Sequence, residues 1–274
     1  MKKVLIITYY WPPSGGPGVQ RILNFVKHLP AHGWETAVLT IKSGEYPAID
    51  RSLLAEIPNG CKVFKTNAFE PNNLYKKFTG KPLDQPLPVA AVSKQSKSWK
   101  EKLSRWIRLN TFVPDAKIGW KPFAVKTGKK VIREFKPDVI LSSSPPPTVH
   151  LIAQKLAVWS GLPWLADFRD PWTKIYHYDN TSRLELVQKY EIKLEYNVLK
   201  TATHLTTVSQ KVKSVLDHNG DFLSKFSIIS NGFDDEKANL IETEPKSSKF
   251  VIIYAGKMNH QQNAINFWKA IDQL

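Results

Sequence analysis

The stretch Val4-Leu5-Ile6-Ile7-Thr8-Tyr9-Tyr10-Trp11-Pro12-Pro13-Ser14-Gly15-Gly16-Pro17-Gly18-Val19-Gln20-Arg21 joins an apolar run to a proline- and glycine-rich turn and then to the start of a helical pattern. A short apolar run bounded by turn residues reads as a buried strand, here Val4–Thr8. The helical pattern that follows runs from Val19 to Leu29. Met1-Lys2-Lys3 before an apolar run has the outline of a signal peptide. The apolar core is too short for one, however, and Tyr9-Tyr10-Trp11-Pro12-Pro13 interrupts it.

The same rhythm repeats along the chain. Further strands are expected at Thr36–Thr40, Lys62–Lys65, Val139–Leu141, Trp164–Ala166, His204–Val208, Phe226–Ile229 and Phe250–Tyr254. Helices are expected at Lys121–Phe135, Val149–Trp159, Leu184–Leu199, Gln210–His218 and about Asn263–Leu274. Turn signals such as His32-Gly33, Lys136-Pro137-Asp138 and Asn219-Gly220 separate them. Alternating strands and helices predict an α/β fold, a doubly wound and mostly parallel Rossmann-like sheet. Phe250–Lys257 and the helix after it make one βα unit. One such unit cannot bury its apolar faces, so it is read as the truncated start of a second domain.

The chain has 274 residues and a formal net charge of +15. That charge points to an anionic partner: nucleic acid, an anionic membrane surface or a phosphorylated substrate. Solubility alone is the plainer explanation. One cysteine, Cys61, excludes an internal disulfide framework and cysteine-rich zinc cages. No apolar run approaches the roughly 20 residues needed to cross a bilayer. Asp234, Asp235, Glu236, Glu242 and Glu244 make a solvated linker of residues 234–248.

In a doubly wound sheet, ligands bind beyond the carboxyl ends of the strands, so the loops after strands are the ones to read. Gly15, Gly16 and Gly18 stand at a helix N-terminus, where free N–H groups and the helix dipole favour an anion. Arg21 stands where a dinucleotide fingerprint has its third glycine, and no acid ends the second strand, so NAD is not expected. The glycines serve either ligand contact or turn geometry alone. Ser142-Ser143-Ser144-Pro145-Pro146-Pro147 is read as the loop after the fourth strand, which offers the Ser144 hydroxyl to a polar ligand or merely stiffens the turn. Asp167-Phe168-Arg169-Asp170-Pro171-Trp172 follows the fifth strand. Its charged groups Asp167, Arg169 and Asp170 pair with one another or with a ligand. His177 is a possible general base nearby, and Asn231-Gly232 a possible hinge.

One segment breaks the rhythm. Ser93–Asn110 reads as a basic amphipathic helix, with Trp99, Leu103, Trp106 and Ile107 on one stripe and Lys94, Lys97, Lys100, Lys102, Arg105 and Arg108 on other faces. Tryptophan beside bases is how interfacial helices are built, which makes Trp99, Arg105, Trp106 and Arg108 membrane-contact candidates. A helix packed on its own domain with a solvated basic back is the alternative.

Taken together, these loops resemble the N-terminal domain of GT-B glycosyltransferases of the family-four retaining type. The resemblance rests on Tyr9-Tyr10-Trp11-Pro12-Pro13 with Gly15-Gly16, His32-Gly33-Trp34-Glu35-Thr36, Ser144-Pro145-Pro146, Asp167-Phe168-Arg169-Asp170-Pro171-Trp172, Val208-Ser209, Ile229-Ser230-Asn231-Gly232-Phe233-Asp234 and Tyr254-Ala255-Gly256-Lys257. It implies a cleft between two Rossmann-like domains, the N-terminal one holding mainly the acceptor. Gly15 and Gly16 match the loop that approaches the donor phosphates and the acceptor. A histidine often present after the fourth strand is replaced by Ser144-Pro145-Pro146. The family's paired glutamates and the bases that neutralise the leaving diphosphate belong to the second domain and have no match here.

The expectation is therefore an acceptor-side domain at residues 1–233 with a basic insertion near 67–114, a linker at 234–248, and the first strand and helix of a donor domain at 249–274. The function implied is sugar transfer from a nucleotide-sugar to a surface-polysaccharide or lipid-linked or oligosaccharide acceptor. The chain alone is expected to be inactive. No cofactor beyond the nucleotide-sugar co-substrate, no metal and no nucleic acid are expected. The location expected is cytoplasmic, with peripheral contact at the inner face of the membrane. The alternative is a non-catalytic protein that binds nucleic acid or anionic membrane through its basic surface. Sugar-nucleotide epimerases are a lesser possibility.

Overall fold

The computed structural model describes residues 1–69, 99–174, 183–217, 219–233, 249–255 and 263–273, with the backbone alone at 100–102, 104 and 105. His177, Asp234 and the acidic run of 234–248 lie outside the described residues, as do Lys94, Lys97 and the Arg105 side chain. The chain separates into two units, Met1–Gly232 and Phe233–Leu274.

The first unit is built on seven strands: β1 (Lys2–Ile7), β2 (Trp34–Ile41), β3 (Lys62–Thr66), β4 (Val139–Ser144), β5 (Trp164–Phe168), β6 (His204–Thr207) and β7 (Phe226–Ile228). They lie side by side in the order β3-β2-β1-β4-β5-β6-β7, and every pairing is parallel. Parallel sheets need cover on both faces, which explains why β1 and β2 read as nearly unbroken apolar runs. Side chains alternate between the two faces. Val4, Ile6, Val38 and Leu141 face helix α1 (Pro17–His28) and its Val19, Ile22, Leu23 and Val26. Leu5, Ile7, Leu39 and Ile140 face the opposite way. There they meet α3 (Lys121–Phe135) and α4 (Thr148–Ser160), through residues such as Ala124, Val131, Ile152 and Leu156.

Local signals account for the ends of these helices. Pro17 opens α1, where its missing N–H costs nothing and its ring pre-sets the helical φ. The buried residues of α1 recur at helical spacing, so one stripe meets the sheet. Lys136 ends α3 in the left-handed region at φ 52°, and its N–H closes on the Ile132 carbonyl at 3.0 Å. Asp115, from the segment between α2 (Trp99–Thr111) and α3, accepts from both the backbone N–H and the hydroxyl of Thr148, each at 2.8 Å, and so caps α4. Helices α5 (Glu185–Thr201) and α6 (Gln210–Leu216) complete the unit. Ser209 caps α6 by accepting from the Val212 N–H.

Two expectations need correction. Ser142, Ser143 and Ser144 belong to strand β4 and are buried. Strand β4 tolerates them because the Ser142 and Ser143 hydroxyls find partners inside the fold: Ser142 binds His150 Nδ1 and accepts from Trp164 Nε1, and Ser143 donates to Asp167. Phe250–Tyr254 does not form a strand: residues 250–255 have no regular structure, and Phe250 is 94% exposed. A strand needs a ladder for its N–H and C=O groups, and this segment joins none of the described ladders. In the second unit the described helix is α7 (Ile265–Ile271), preceded by Asn263, whose Oδ1 accepts from Trp268 Nε1 at 2.9 Å.

Candidate functional site

The strand order turns outward from the middle of the sheet. From β1 the chain moves through β2 to β3 on one side. From β4 it moves through β5 and β6 to β7 on the other. The loops after β1 and β4 therefore part company and leave a crevice at this switch point, the place where open α/β sheets bind ligands. A cavity of about 400 Å³ occupies it. Its walls include Tyr10 and Gly16 from the loop after β1, Gly18 from the first turn of α1, Pro145 from the loop after β4, and Arg169 and Asp170 from the loop after β5.

The glycine loop is held from outside. The Gly15 N–H donates to the Ala48 carbonyl at 2.9 Å, and the Asp50 N–H to the Pro13 carbonyl at 2.8 Å. Gly16 has φ +103°, a conformation closed to most L-residues, and a Cβ there would point into empty space. Gly18 lies against the Arg169 guanidinium, which a Cβ at that position would overlap. At the start of α1, Pro17 has no N–H and those of Val19 and Gln20 bond the Gly16 carbonyl, so the Gly18 N–H and the positive end of the helix dipole are what α1 brings to this wall.

Arg169 sits only a few ångströms from that positive end. It is 9% exposed and donates from Nε to the Ser144 carbonyl at 2.7 Å and from Nη2 to the Pro145 carbonyl at 3.0 Å. Burial pushes its pKa down, against the opposing pull of the Asp167 and Asp170 charges. Among the described residues its hydrogen-bond partners are these two neutral carbonyls, and a cation so placed, beside a helix N-terminus, makes a wall that attracts an anion. Lys117, which also lines the cavity, pairs with Glu45 at 3.1 Å.

Beneath this wall lies a sealed ion pair. Arg21 donates from Nε to Asp167 Oδ2 at 3.1 Å and from Nη2 to Oδ1 at 2.8 Å. Asp167 also accepts from the Ser143 hydroxyl at 2.7 Å and the Thr206 hydroxyl at 2.8 Å, its register neighbours on β4 and β6. Arg21 Nη1 reaches on to the Ser230 carbonyl and Asn231 Oδ1, each at 3.2 Å. One buried pair thus joins α1, three strands and the loop after β7.

A second cavity of about 260 Å³ adjoins the first and shares Tyr10, Lys117, Pro145 and Asp170 with it. Its own walls include Arg108, Phe112, Asp115, Ser144, Trp172 and Arg183. Trp172 donates to Glu191 at 3.1 Å, Arg183 pairs with the same carboxylate, and Thr173 donates to Glu195. Burial raises the pKa of Glu191 and of Glu195. It also raises that of Asp115, although three donors from Thr148 and Lys117 oppose it. These contacts pin the Asp-Pro-Trp turn onto α5.

Of the residues singled out from sequence, Gly15, Gly16, Gly18, Arg169 and Asp170 line the first cavity, and Ser144 lines the second. Arg21 and Asp167 line neither; they are buried against each other. Glu45, Tyr46, Lys117 and Asn231 line the first cavity without having been singled out as ligand contacts. Glu45 and Tyr46 follow β2 and were open to the loop-after-strand rule. Lys117 carries no short-range signal. On α2, Trp99, Leu103, Trp106 and Ile107 are exposed, Trp99 at 66%, whereas Arg108 is half-buried and turned to the second cavity. Among the described residues, no three His, Cys, Asp or Glu side chains cluster to hold a metal ion, and no helix is long and apolar enough to cross a membrane.

A parallel sheet with its crevice at the switch point defines a Rossmann-like α/β fold, and the sequence narrows it. The model of the family Glycosyltransferase Family 4 matches residues 88–237. That is more than half of the chain, and the protein belongs to this family of GT-B glycosyltransferases. Among solved structures the chain is similar to sucrose-phosphate synthase from Thermosynechococcus elongatus. The TM-score is 0.54 at 14% identity, over 86% of this chain and 49% of that one. It is also similar to Anabaena Alr3699/HepE in complex with UDP and glucose, with TM-score 0.48, 16% identity, and 89% and 47% of the two chains covered. The lipopolysaccharide outer core galactosyltransferase WaaB in its apo form gives TM-score 0.45 and 14% identity over 85% and 46%. The chain spans about half the length of each of these structures. No curated protein sequence matches it significantly.

Proposed function

We propose that this chain is the acceptor-side part of a glycosyltransferase that moves a sugar from a nucleotide-sugar donor, with retention at the anomeric carbon, to a surface-polysaccharide or lipid-linked acceptor. The observation that carries the reading is Arg169 beside Gly18 at the N-terminus of α1, both lining one cavity at the switch point. A departing nucleoside diphosphate needs positive charge and oriented N–H donors where its own charge develops. Arg169 supplies the charge, and the Gly18 N–H at the start of α1 supplies a donor. The further bases that would neutralise the diphosphate belong to a second domain, so the chain alone binds nucleotide weakly and transfers no sugar. Titration with UDP tests this. Wild type should bind, Arg169→Gln should bind at least tenfold more weakly, and equal binding by the two would end the reading.

The exposed stripe of α2 favours contact with an anionic membrane at the inner face. Trp99, Leu103 and Trp106 present apolar surface on a helix rich in lysine and arginine, the composition of interfacial helices. Such contact would bring the protein to an acceptor carried on lipid.

A further inference from the structure

The second cavity has no part in nucleotide binding as argued above, and its chemistry differs from the first. At about 260 Å³ it falls just below the usual range of ligand pockets, which suits one monosaccharide unit rather than an oligosaccharide. Its walls combine flat rings, from Tyr10, Phe112 and Trp172, with a few polar groups, the mixture that receives a sugar's apolar face and its hydroxyls.

Most charges around it are already engaged. Arg183 is paired with Glu191, and Lys117 with Glu45. The carboxylate of Asp115 is taken up by the Thr148 N–H and hydroxyl and by the Lys117 N–H. Arg108 is different. It lines the cavity, it is half-buried, and among the described residues no hydrogen bond or ion pair engages it. A partly desolvated guanidinium with no partner presents five donors in a planar fork, the shape that grips a carboxylate or phosphate. Asp170 stands on the wall common to both cavities, where a group held in the second cavity faces one held in the first.

Resting on the glycosyltransferase reading, we infer that the second cavity is the acceptor subsite and that it takes a sugar unit carrying an anionic group. Arg108 binds the anion. Asp170 accepts a hydrogen bond from the acceptor hydroxyl and turns it toward the donor cavity. A phosphate on a lipid-carried sugar and a uronate carboxylate share this chemistry.

Ligand-observed NMR and calorimetry on the purified 274-residue chain test it with three probes: glucose 1-phosphate, glucuronate and the neutral methyl glucoside. Wild type should bind at least one anionic sugar about tenfold more tightly than methyl glucoside. Arg108→Ala should erase that preference and leave methyl glucoside unchanged, while Arg108→Lys keeps part of it. Asp170→Asn should weaken all three alike. Stronger binding of glucose 1-phosphate assigns the anion to a phosphate-bearing acceptor, and stronger binding of glucuronate to an acidic glycan. If methyl glucoside binds as well as both anions, or Arg108→Ala changes nothing, the inference is overturned and Arg108 only serves the carbonyl end of α2. UDP titration of the same samples keeps the two ideas apart. Loss of Arg169-dependent UDP binding with Arg108-dependent sugar binding intact defeats the donor reading alone, and the reverse pattern defeats this one alone.

Discussion

Arg21 and Asp167 lie 146 positions apart in the chain and meet through two parallel hydrogen bonds of 3.1 and 2.8 Å in a site closed to solvent. Both belong to segments next to the candidate ligand cavity, yet neither reaches it. Their role is to fix the angle at which α1, and the glycine turn ahead of it, meets the sheet. Arg21→Met would leave a buried carboxylate with two hydroxyls and no charged hydrogen-bond partner, a change that costs about 3–5 kcal/mol. Chemical denaturation should register a loss of that size. The double variant Arg21→Met/Asp167→Leu should recover part of it, because the stranded charge is gone. A loss below about 1 kcal/mol for the single variant would show the pair to be dispensable.

Gly18→Ala should separate binding from stability. The new methyl must displace the Arg169 guanidinium, since the space it enters is already filled. UDP affinity should drop at least tenfold, while the helix itself gains from losing a glycine, which limits the stability loss to about 1 kcal/mol. Thermal melts and titrations on one preparation give both numbers. Unchanged affinity would mean that Arg169 has no part in the anion site.

The exposed face of α2 predicts adsorption to anionic vesicles. Co-sedimentation with vesicles rich in phosphatidylglycerol should weaken several-fold in Trp99→Ala/Trp106→Ala and should fall with salt, because the basic faces contribute screened attraction. Vesicle binding that survives both changes would assign the stripe to packing alone.

His150 is buried, stacks on Phe168 at 4.2 Å between ring centres, and has its pKa lowered to about 3, mainly by burial. The unfolded chain therefore binds this proton near pH 6.5 while the folded chain refuses it until about 3. The neutral ring costs no stability at high pH, and stability falls as pH drops through 6.5, by up to about 1.4 kcal/mol per pH unit. Glu191, Glu195 and Asp115, whose pKa values are raised, act in the opposite direction. A comparison with His150→Phe isolates the histidine. Between pH 6 and 4.5, both below that 6.5, its unfolding free energy should decline less steeply than that of wild type. Parallel pH curves would show that His150 protonates without unfolding the chain.

The sheet was readable because its signals are local. Apolar runs such as Val4-Leu5-Ile6-Ile7 and Val139-Ile140-Leu141 stand out between turn residues, and alternation with helical patterns implied parallel pairing. Where strands end was less legible. Ser142-Ser143-Ser144 looks like a polar loop to any short window. What makes it strand is the lateral row Ser143, Asp167 and Thr206, assembled from three segments. The Phe250–Tyr254 run has every local mark of a strand, but ladder formation depends on a neighbour that no local mark supplies. The glycine turn and the Asp-Phe-Arg-Asp-Pro-Trp loop were visible as site material from their position after strands. Which arginine faces the cavity was not visible. Arg21 and Arg169 are both single bases near glycine or acid, and only the fold buries one against Asp167 and leaves the other at the wall.

The run Phe250-Val251-Ile252-Ile253-Tyr254 also has a consequence for the behaviour of the chain in solution. Five uncharged, β-prone residues stand exposed and outside regular structure. Segments of this kind recruit copies of themselves, edge to edge, into intermolecular ladders and eventually into fibrils. Concentrated samples should therefore self-associate with slow kinetics and gain thioflavin-T fluorescence. Ile252→Lys should suppress this by placing a repelling charge in every rung of the growing stack, without touching the Rossmann-like unit.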